Sequence, residues 1–280
     1  MSSASNAGQI AYWNGPIGQA WAASHEKRDR DHTGITEPLL AFADVKPGEH
    51  VLDIGCGSGT TTLILAERAG PTGRVLGIDL SGPMLAVAKQ RAASAHSIAQ
   101  FAQADVSEYP FEKHTFDLGF SQFGVMFFAD PVGTFRNIRR ALKKNGRLVF
   151  ACWRSPAEHT WSSIPESAAK PFLPSAPPAD PDAPGRFSLR QPDRIKQVLG
   201  GAGFYGIEIH KQDARTFAGA TPEEAAASAI DSGPLQRTLA DADEATRMKV
   251  RAAVTECLAR EMTPDGIYLN SAAWLVRAFA

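Results

Sequence analysis

Three cysteines in 280 residues, scattered at Cys56, Cys152 and Cys257, leave no CxxC pair and no disulfide framework. The seven histidines fall at no metal-ligand spacing, so no metal site is expected. Long hydrophobic runs are missing too. No stretch approaches the ~18 apolar residues of a membrane span, and the small polar start from Met1 to Gly8 lacks the basic and then apolar segments of an export signal. Nor is one sign of charge in surplus. The formal net charge is −1 with a pI near 6.7, and no lysine or arginine cluster is dense enough to follow a phosphate backbone. These absences predict a protein of a reducing cytoplasm with no membrane or nucleic-acid partner, a monomer or a homodimer. What is present is core-forming material, 44% hydrophobic by count, enough for one large domain or a domain with an added subdomain.

Up to residue 152 the pattern alternates strand and helix, which argues for a parallel sheet with helices on both faces. Strands are expected at His50 to Ile54, Arg74 to Asp79, Ile98 to Gln103, Phe116 to Ser121 and Gly146 to Cys152. Ser81 before Gly82-Pro83 and Asp130 before Pro131 are helix starts, each a capping side chain followed by proline in the first turn. From Pro156 to Pro192 the chain carries nine of its nineteen prolines, too many for a regular helix or central strand. Regular structure then resumes as a helix at Pro192 to Gly200, a strand at Gly206 to His210, and a helix opened by the capping box Thr221-Pro222-Glu223-Glu224. A long helix about Asp241 to Glu261, a turn at Asp265-Gly266 and a terminal strand from Ile267 to Phe279 complete the pattern. At the other end, Tyr12 to Arg30 joins Trp13 and Trp21 to a charged run and reads as an amphipathic helix.

The run Val51-Leu52-Asp53-Ile54-Gly55-Cys56-Gly57-Ser58-Gly59 is an apolar strand ending in a glycine loop, followed by helix-forming Thr60 to Arg68. Glycines at such a turn let backbone N–H groups approach a nucleoside cofactor that any Cβ would block. The spacing is G-x-G-x-G rather than the G-x-G-x-x-G of a dinucleotide site, and Asp53 stands where NAD-binding strands more often carry an apolar residue. Asp79 ends the next strand, placed to accept both ribose hydroxyls. Past the third strand, Asp105 can accept from an exocyclic amine while the N–H of Val106 donates to a ring nitrogen, a pair that recognises adenine. The fourth strand ends in Ser121-Gln122-Phe123, at the edge where open α/β sheets bind ligands.

Together, Asp53 to Gly59, Asp79, Asp105-Val106, the Phe116-Asp117 strand and Leu142 to Leu148 resemble the class I S-adenosylmethionine-dependent methyltransferases. The match spans roughly residues 45 to 152, and it is nearest the small-molecule branch of ubiquinone and menaquinone methyltransferases, as is the opening Tyr12-Trp13-Asn14. The resemblance implies a doubly wound α/β fold with a mostly parallel, seven-stranded, Rossmann-like sheet whose last strand is antiparallel, with helical and proline-rich lid insertions. It implies S-adenosylmethionine as cofactor and S-adenosylhomocysteine as product. Carried over by position, Asp53 and the backbone of Gly55 and Gly57 hold the methionine end, Asp79 holds the ribose, and Cys56, Gly59 and Leu80 are further cofactor-binding positions. Met84, Asp105 and Val106 then face the adenine, and Ser121 and Gln122 lie near the methionine moiety. The expected organisation is a helical cap over 1–44, the cofactor-binding core over 45–153, a proline-rich insertion or lid over 154–190, and the rest of the core over 191–280 with a helical insertion about 221–262.

Methyl transfer from a sulfonium is an in-line displacement in which alignment does most of the work, so few catalytic residues are needed. His25, His32 and His159 are candidate general bases, no spacing rule selects one, and each also reads as an ordinary structural histidine. Tyr12 either closes over the cofactor or anchors the N-terminal helix. Trp153, Arg154 and Trp161 either line the acceptor pocket or form a small core of their own, and Cys56 reads as a buried loop filler. The apolar and aromatic content of the segments outside the core predicts a hydrophobic or aromatic small-molecule acceptor. Two alternatives remain, an NAD(P)-dependent Rossmann oxidoreductase and a non-catalytic S-adenosylmethionine-binding protein.

Overall fold

The computed structural model describes residues 6–174, 180, 182–231, 235–236, 238–240 and 242–280. The first five residues of the polar start, residues 175–179 and 181 of the proline-rich excursion, and Asp241 at the expected start of the long helix lie outside them.

Three helices come first, α1 (Ala7–Asn14), α2 (Pro16–Ala23) and α3 (His25–Ala43), where one amphipathic helix was expected. The break between α1 and α2 falls at Gly15, extended before Pro16, because a residue preceding proline is pushed out of the helical region. Strand and helix then alternate through β1 (His50–Ile54), α4 (Thr60–Ala69), β2 (Arg74–Asp79), α5 (Gly82–Ser94) and β3 (Ala99–Gln103). β4 (Phe116–Gln122), α6 (Pro131–Ala141) and β5 (Leu142–Trp153) complete the N-terminal half. Next come α7 (Thr160–Ala169), α8 (Pro192–Gly201), β6 (Tyr205–Gly219), α9 (Pro222–Asp231) and α10 (Glu244–Ala259), then β7 (Met262–Thr263) and β8 (Gly266–Phe279).

The sheet runs β3-β2-β1-β4-β5-β8-β6, with β7 paired to β8 off this path. β1 to β5 pair in parallel, and β8 lies antiparallel on β5 with Arg147 opposite Phe279 and Trp153 opposite Ala273. Each central strand is buried because helices cover it: Val51 to Ile54 of β1 are all buried, the signature of a parallel strand covered on both faces. The caps form as expected. The Ser81 hydroxyl accepts from Met84 N at 3.4 Å and Asp130 Oδ1 from Gly133 N at 2.9 Å.

Further expectations change: β5 starts at Leu142 rather than Gly146, directly after α6. The sheet has eight strands rather than seven, because Met262 and Thr263 pair with Ile267 and Gly266 across the Pro264-Asp265 turn and add the short β7. The proline-rich stretch contains a regular helix after all: α7 carries Pro165 inside it, on the buried face with Ser162 and Ala169, where burial offsets the one lost N–H bond. β6 runs on to Gly219 rather than stopping at His210, its side chains from Asp213 to Phe217 alternating between the more and the less exposed face.

The chain divides into two compact units. Met1–Arg154, Pro181–Gln212 and Ala273–Ala280 make the larger, and Ser155–Asp180 with Asp213–Ala272 the smaller, so the 154–190 excursion contributes to both. The larger unit is built on the sheet around the fully buried Leu52, Leu118, Phe120, Phe135 and Phe150. A second cluster, with Ala226, Ile230, Val250, Val254, Leu258 and Ile267, forms the core of the smaller. No helix among the described residues is long and apolar enough to cross a membrane.

Candidate cofactor and acceptor site

Strand order reverses at β1, whose neighbours are β2 on one side and β4 on the other. Ligands of open α/β sheets sit beyond the strand ends at such a switch point. Two loops meet there backbone to backbone: a Cβ on Gly55 would lie 2.7 Å from Gly124 Cα, and one on Gly124 would lie 2.6 Å from the Ile54 carbonyl oxygen. Gly55, Gly57 and Gly59 all have positive φ, at 69°, 53° and 83°. Their surroundings differ. A Cβ on Gly59 would strike Ala88 at 2.9 Å, whereas on Gly57 the nearest atom is Met84 Sδ at 3.7 Å, so Gly57 borders open space. Gly59 packs, and Gly57 leaves room for something else. Cys56 is buried and its thiol pKa is pushed well up by burial, which fits a loop filler and not a nucleophile.

Three carboxylates stand at the ends of successive strands. Asp53 is fully buried, its Oδ2 accepting from the hydroxyls of Thr61 at 2.8 Å and Thr62 at 2.7 Å, while its Oδ1 is buried without a partner. Burial raises its pKa to about 6 against the pull of those two bonds. Asp79 accepts from Gly57 N and from Ser81 N, both at 2.8 Å, so one side chain sets the glycine loop and the turn into α5, and burial raises its pKa as well. A backbone bond from Leu80 also bears on this carboxylate. Asp105 accepts from Ser107 N at 2.9 Å and from Asn6 Nδ2 at 2.6 Å. Met84 and Val106 are both buried, and the Val106 carbonyl is held by Asn137 Nδ2 at 2.9 Å.

The end of β4 makes the opposite rim. Ser121 is fully buried and its hydroxyl is committed, donating to the Ile54 carbonyl at 2.7 Å and accepting from Gly124 N at 3.2 Å. It therefore locks the two loops together. Gln122 next to it has a buried Oε1 without a partner. Phe123 adopts a left-handed backbone, φ 64°, a strain that a non-glycine residue keeps only where its surroundings enforce it. Its ring stacks on Trp153 at 3.7 Å between centroids, and His32 of α3 lies 5.4 Å from Phe123 and 6.0 Å from Trp153. Burial lowers the His32 pKa to about 4, so its imidazole is neutral at physiological pH.

The other candidates fall elsewhere. His159 is fully buried in the smaller unit, its Nδ1 accepting from Trp161 Nε1 at 3.2 Å and Ala272 N at 3.3 Å, which removes that nitrogen as a base. Trp161 packs against the smaller unit's own core. His25 Nδ1 bonds the Ala22 carbonyl one turn back at 2.9 Å. Arg154 is buried with its guanidinium 5.1 Å over Trp274, a structural contact. Tyr12 meets Trp13 edge to face at 5.1 Å, and Trp13 meets Trp21 and Phe127 in the same way, so Tyr12 belongs to an aromatic cluster of the N-terminal helices.

The spacing of sequence motifs passes over the residues that hold this site in place. Asp29 of α3 accepts from the Thr60 hydroxyl at 2.5 Å and from Arg91 Nη2 at 3.0 Å, while Arg91 Nη1 donates to the Ser58 carbonyl at 3.0 Å. This network braces the glycine loop from outside and places a negative charge at the start of α4, where the helix dipole favours it. Its only trace in the sequence is the charged run Glu26 to Asp31, which reads equally as a solvated face. Thr61 and Thr62 were legible only as helix formers.

The residues present fit S-adenosylmethionine. The buried acceptors Asp53 Oδ1 and Gln122 Oε1 call for donors, and the molecule brings an ammonium group, two ribose hydroxyls and an amine. Comparison with known proteins agrees. Residues 52–150 match the methyltransferase domain family. The 2-phytyl-1,4-naphtoquinone methyltransferase of Trichormus variabilis is 34% identical over 122 residues, 43% of this chain and 53% of that protein. The demethylmenaquinone methyltransferase of Bacillus cytotoxicus is 34% identical over 119 residues, 42% of this chain and 50% of that protein. The matched region is thus about half the length of these curated relatives. Among solved structures, Haemonchus contortus phosphoethanolamine N-methyltransferase 2, in complex with phosphomonomethylethanolamine and S-adenosylhomocysteine, shares the fold with a TM-score of 0.54 at 22% identity, over 87% of this chain and 52% of that one.

Proposed function

We propose that this chain, whose residues 52–150 match the methyltransferase domain family, transfers the methyl group of S-adenosylmethionine to a hydrophobic aromatic small molecule of the quinol type. The observation that carries this is the row of Asp53, Asp79 and Asp105 at the ends of β1, β2 and β3, around a glycine loop whose middle member, Gly57, borders open space. The sulfonium supplies an already activated methyl group when bound. Asp53, with the backbone of Gly55 and Gly57, takes the amino-acid end. Asp79 and Leu80 hold the ribose, Met84, Asp105 and Val106 the adenine, and Gln122 reaches the methionine moiety from the β4 rim, beside the Ser121 that ties this rim to the β1 loop.

The acceptor lies against the stacked Phe123 and Trp153, whose flat faces suit an aromatic ring. His32 beside them is placed as the proton acceptor: its imidazole, neutral at physiological pH, would take the acceptor's proton as the acceptor received the methyl group. The names of the relatives support a quinone-type acceptor. Three free thiols support a reducing compartment, the cytoplasm. The test is stabilisation against heat by S-adenosylhomocysteine, followed by transfer of a labelled methyl group to a panel of naphthoquinols and phenols. Stabilisation by NADH and not by S-adenosylhomocysteine, or binding without a methylated product across the panel, would overturn the proposal.

A further inference from the structure

We infer that α1 is a clasp over the nucleoside half of the site and that the Asn6 carboxamide occupies the place of the adenine amine, so that cofactor binding must displace it. This rests on the assignment of Asp79 and Asp105 to the nucleoside. Asn6 Nδ2 donates to Asp105 Oδ2 at 2.6 Å across 99 residues of sequence, so the bond is tertiary and not a turn. The orientation of the amide is not free, because turning it over would press its oxygen against a carboxylate oxygen. A carboxamide –NH2 is planar and conjugated like the exocyclic amine of adenine, and it meets the carboxylate as that amine would.

The other end of the same helix grips the other nucleoside strand. Asn14 Nδ2 donates to the Leu80 carbonyl at 2.9 Å, and Asn14 Oδ1 accepts from Gly82 N at 3.0 Å and Gln103 Nε2 at 3.2 Å. α1 therefore runs from the end of β3 to the turn after β2, a span of about 12 Å for eight residues. None of its residues is buried, so polar pins at its two ends hold it, together with the edge contacts of Trp13. The Asn6 latch is also imperfect: Asn6 Oδ1, and Gln9 Oε1 along the same helix, are buried without partners. A latch with unmet acceptors on a helix with no buried residue is built to open.

Asn6 competes with the ligand for one carboxylate oxygen, so removing its amide should strengthen binding. Calorimetry on the full chain is the test, with S-adenosylhomocysteine and 5′-methylthioadenosine, which carry the same amine and differ at the amino-acid end. Asn6→Ala should bind both about three- to tenfold more tightly than the parent, the change expected for releasing one competing charge-assisted hydrogen bond. A misfolded variant does not gain affinity, so the sign separates the latch from a folding defect. Unchanged or weaker binding of either ligand overturns the latch, while the parent's own affinity upholds the cofactor assignment independently. A parent that binds neither ligand overturns both.

Discussion

Asp53 and Asp79 differ in what they already hold. Asp79 accepts from the backbone of the glycine loop and of the α5 turn, whereas Asp53 accepts only from two threonine hydroxyls and keeps one buried oxygen without a partner. Asp79→Ala should weaken S-adenosylhomocysteine binding by about 1.5–3 kcal/mol, at least tenfold, as two charge-assisted bonds are lost. Unchanged affinity in a folded variant would remove Asp79 from the ribose. Asp53 has a folded pKa of about 6, above its value in the unfolded chain, so the folded protein binds more protons than the unfolded one between roughly pH 4 and 6. Its contribution to stability is therefore present at low pH and is lost as pH rises through 6. An ammonium ligand needs the ionised form, which sets the opposite trend for binding. Affinity for S-adenosylhomocysteine should rise from pH 5 to 7, and Asp53→Asn should flatten that profile in a calorimetric pH series. His32 runs the other way in stability: with a pKa lowered to about 4, its contribution is full above its unfolded value and is lost as pH falls.

The strand-loop-helix unit from β1 to α4 separates ligand space from packing. Gly57 and Gly59 share a positive φ, yet a side chain at Gly57 meets nothing closer than 3.7 Å, while one at Gly59 meets Ala88 and Phe101 within 3.2 Å. Gly57→Ala should keep its fold at a cost of about 1–2 kcal/mol for the left-handed backbone and lose at least tenfold in cofactor affinity. Gly59→Ala should lose about 2–5 kcal/mol of stability from backbone and overpacking together. Thermal melts paired with calorimetry read both, and equal losses of stability would erase the distinction. The sequence spacing G-x-G-x-G marks the loop but treats its glycines alike. Gly124, which lets the β4 loop meet Gly55, belongs to no motif and became visible only when the two loops were brought face to face.

On the scale of the molecule, every residue assigned to the cofactor lies in the larger unit, and the smaller unit has its own apolar cluster. Leu258→Ala, in the middle of that cluster, should cost about 2–5 kcal/mol in melting while cofactor affinity stays within twofold. A parallel fall in affinity would show that the division does not insulate the site.

The amino-acid sequence by itself determined the alternation of strands and helices, the glycine loop and the three strand-end carboxylates, because these follow from local periodicity, φ requirements and short spacing. Its boundaries for β1, β2 and α8 lie within a residue of the observed ones, whereas α7 was hidden by prolines and the second half of β6 by its charged face. Only the tertiary structure decided which histidine meets the aromatic pair, that His159 is buried away as an acceptor, and that Asp29 and Arg91 brace the loop. The same holds for Asn6 on Asp105. Those contacts join residues dozens of positions apart, and no local pattern encodes them. They depend on where helices land once the sheet has formed.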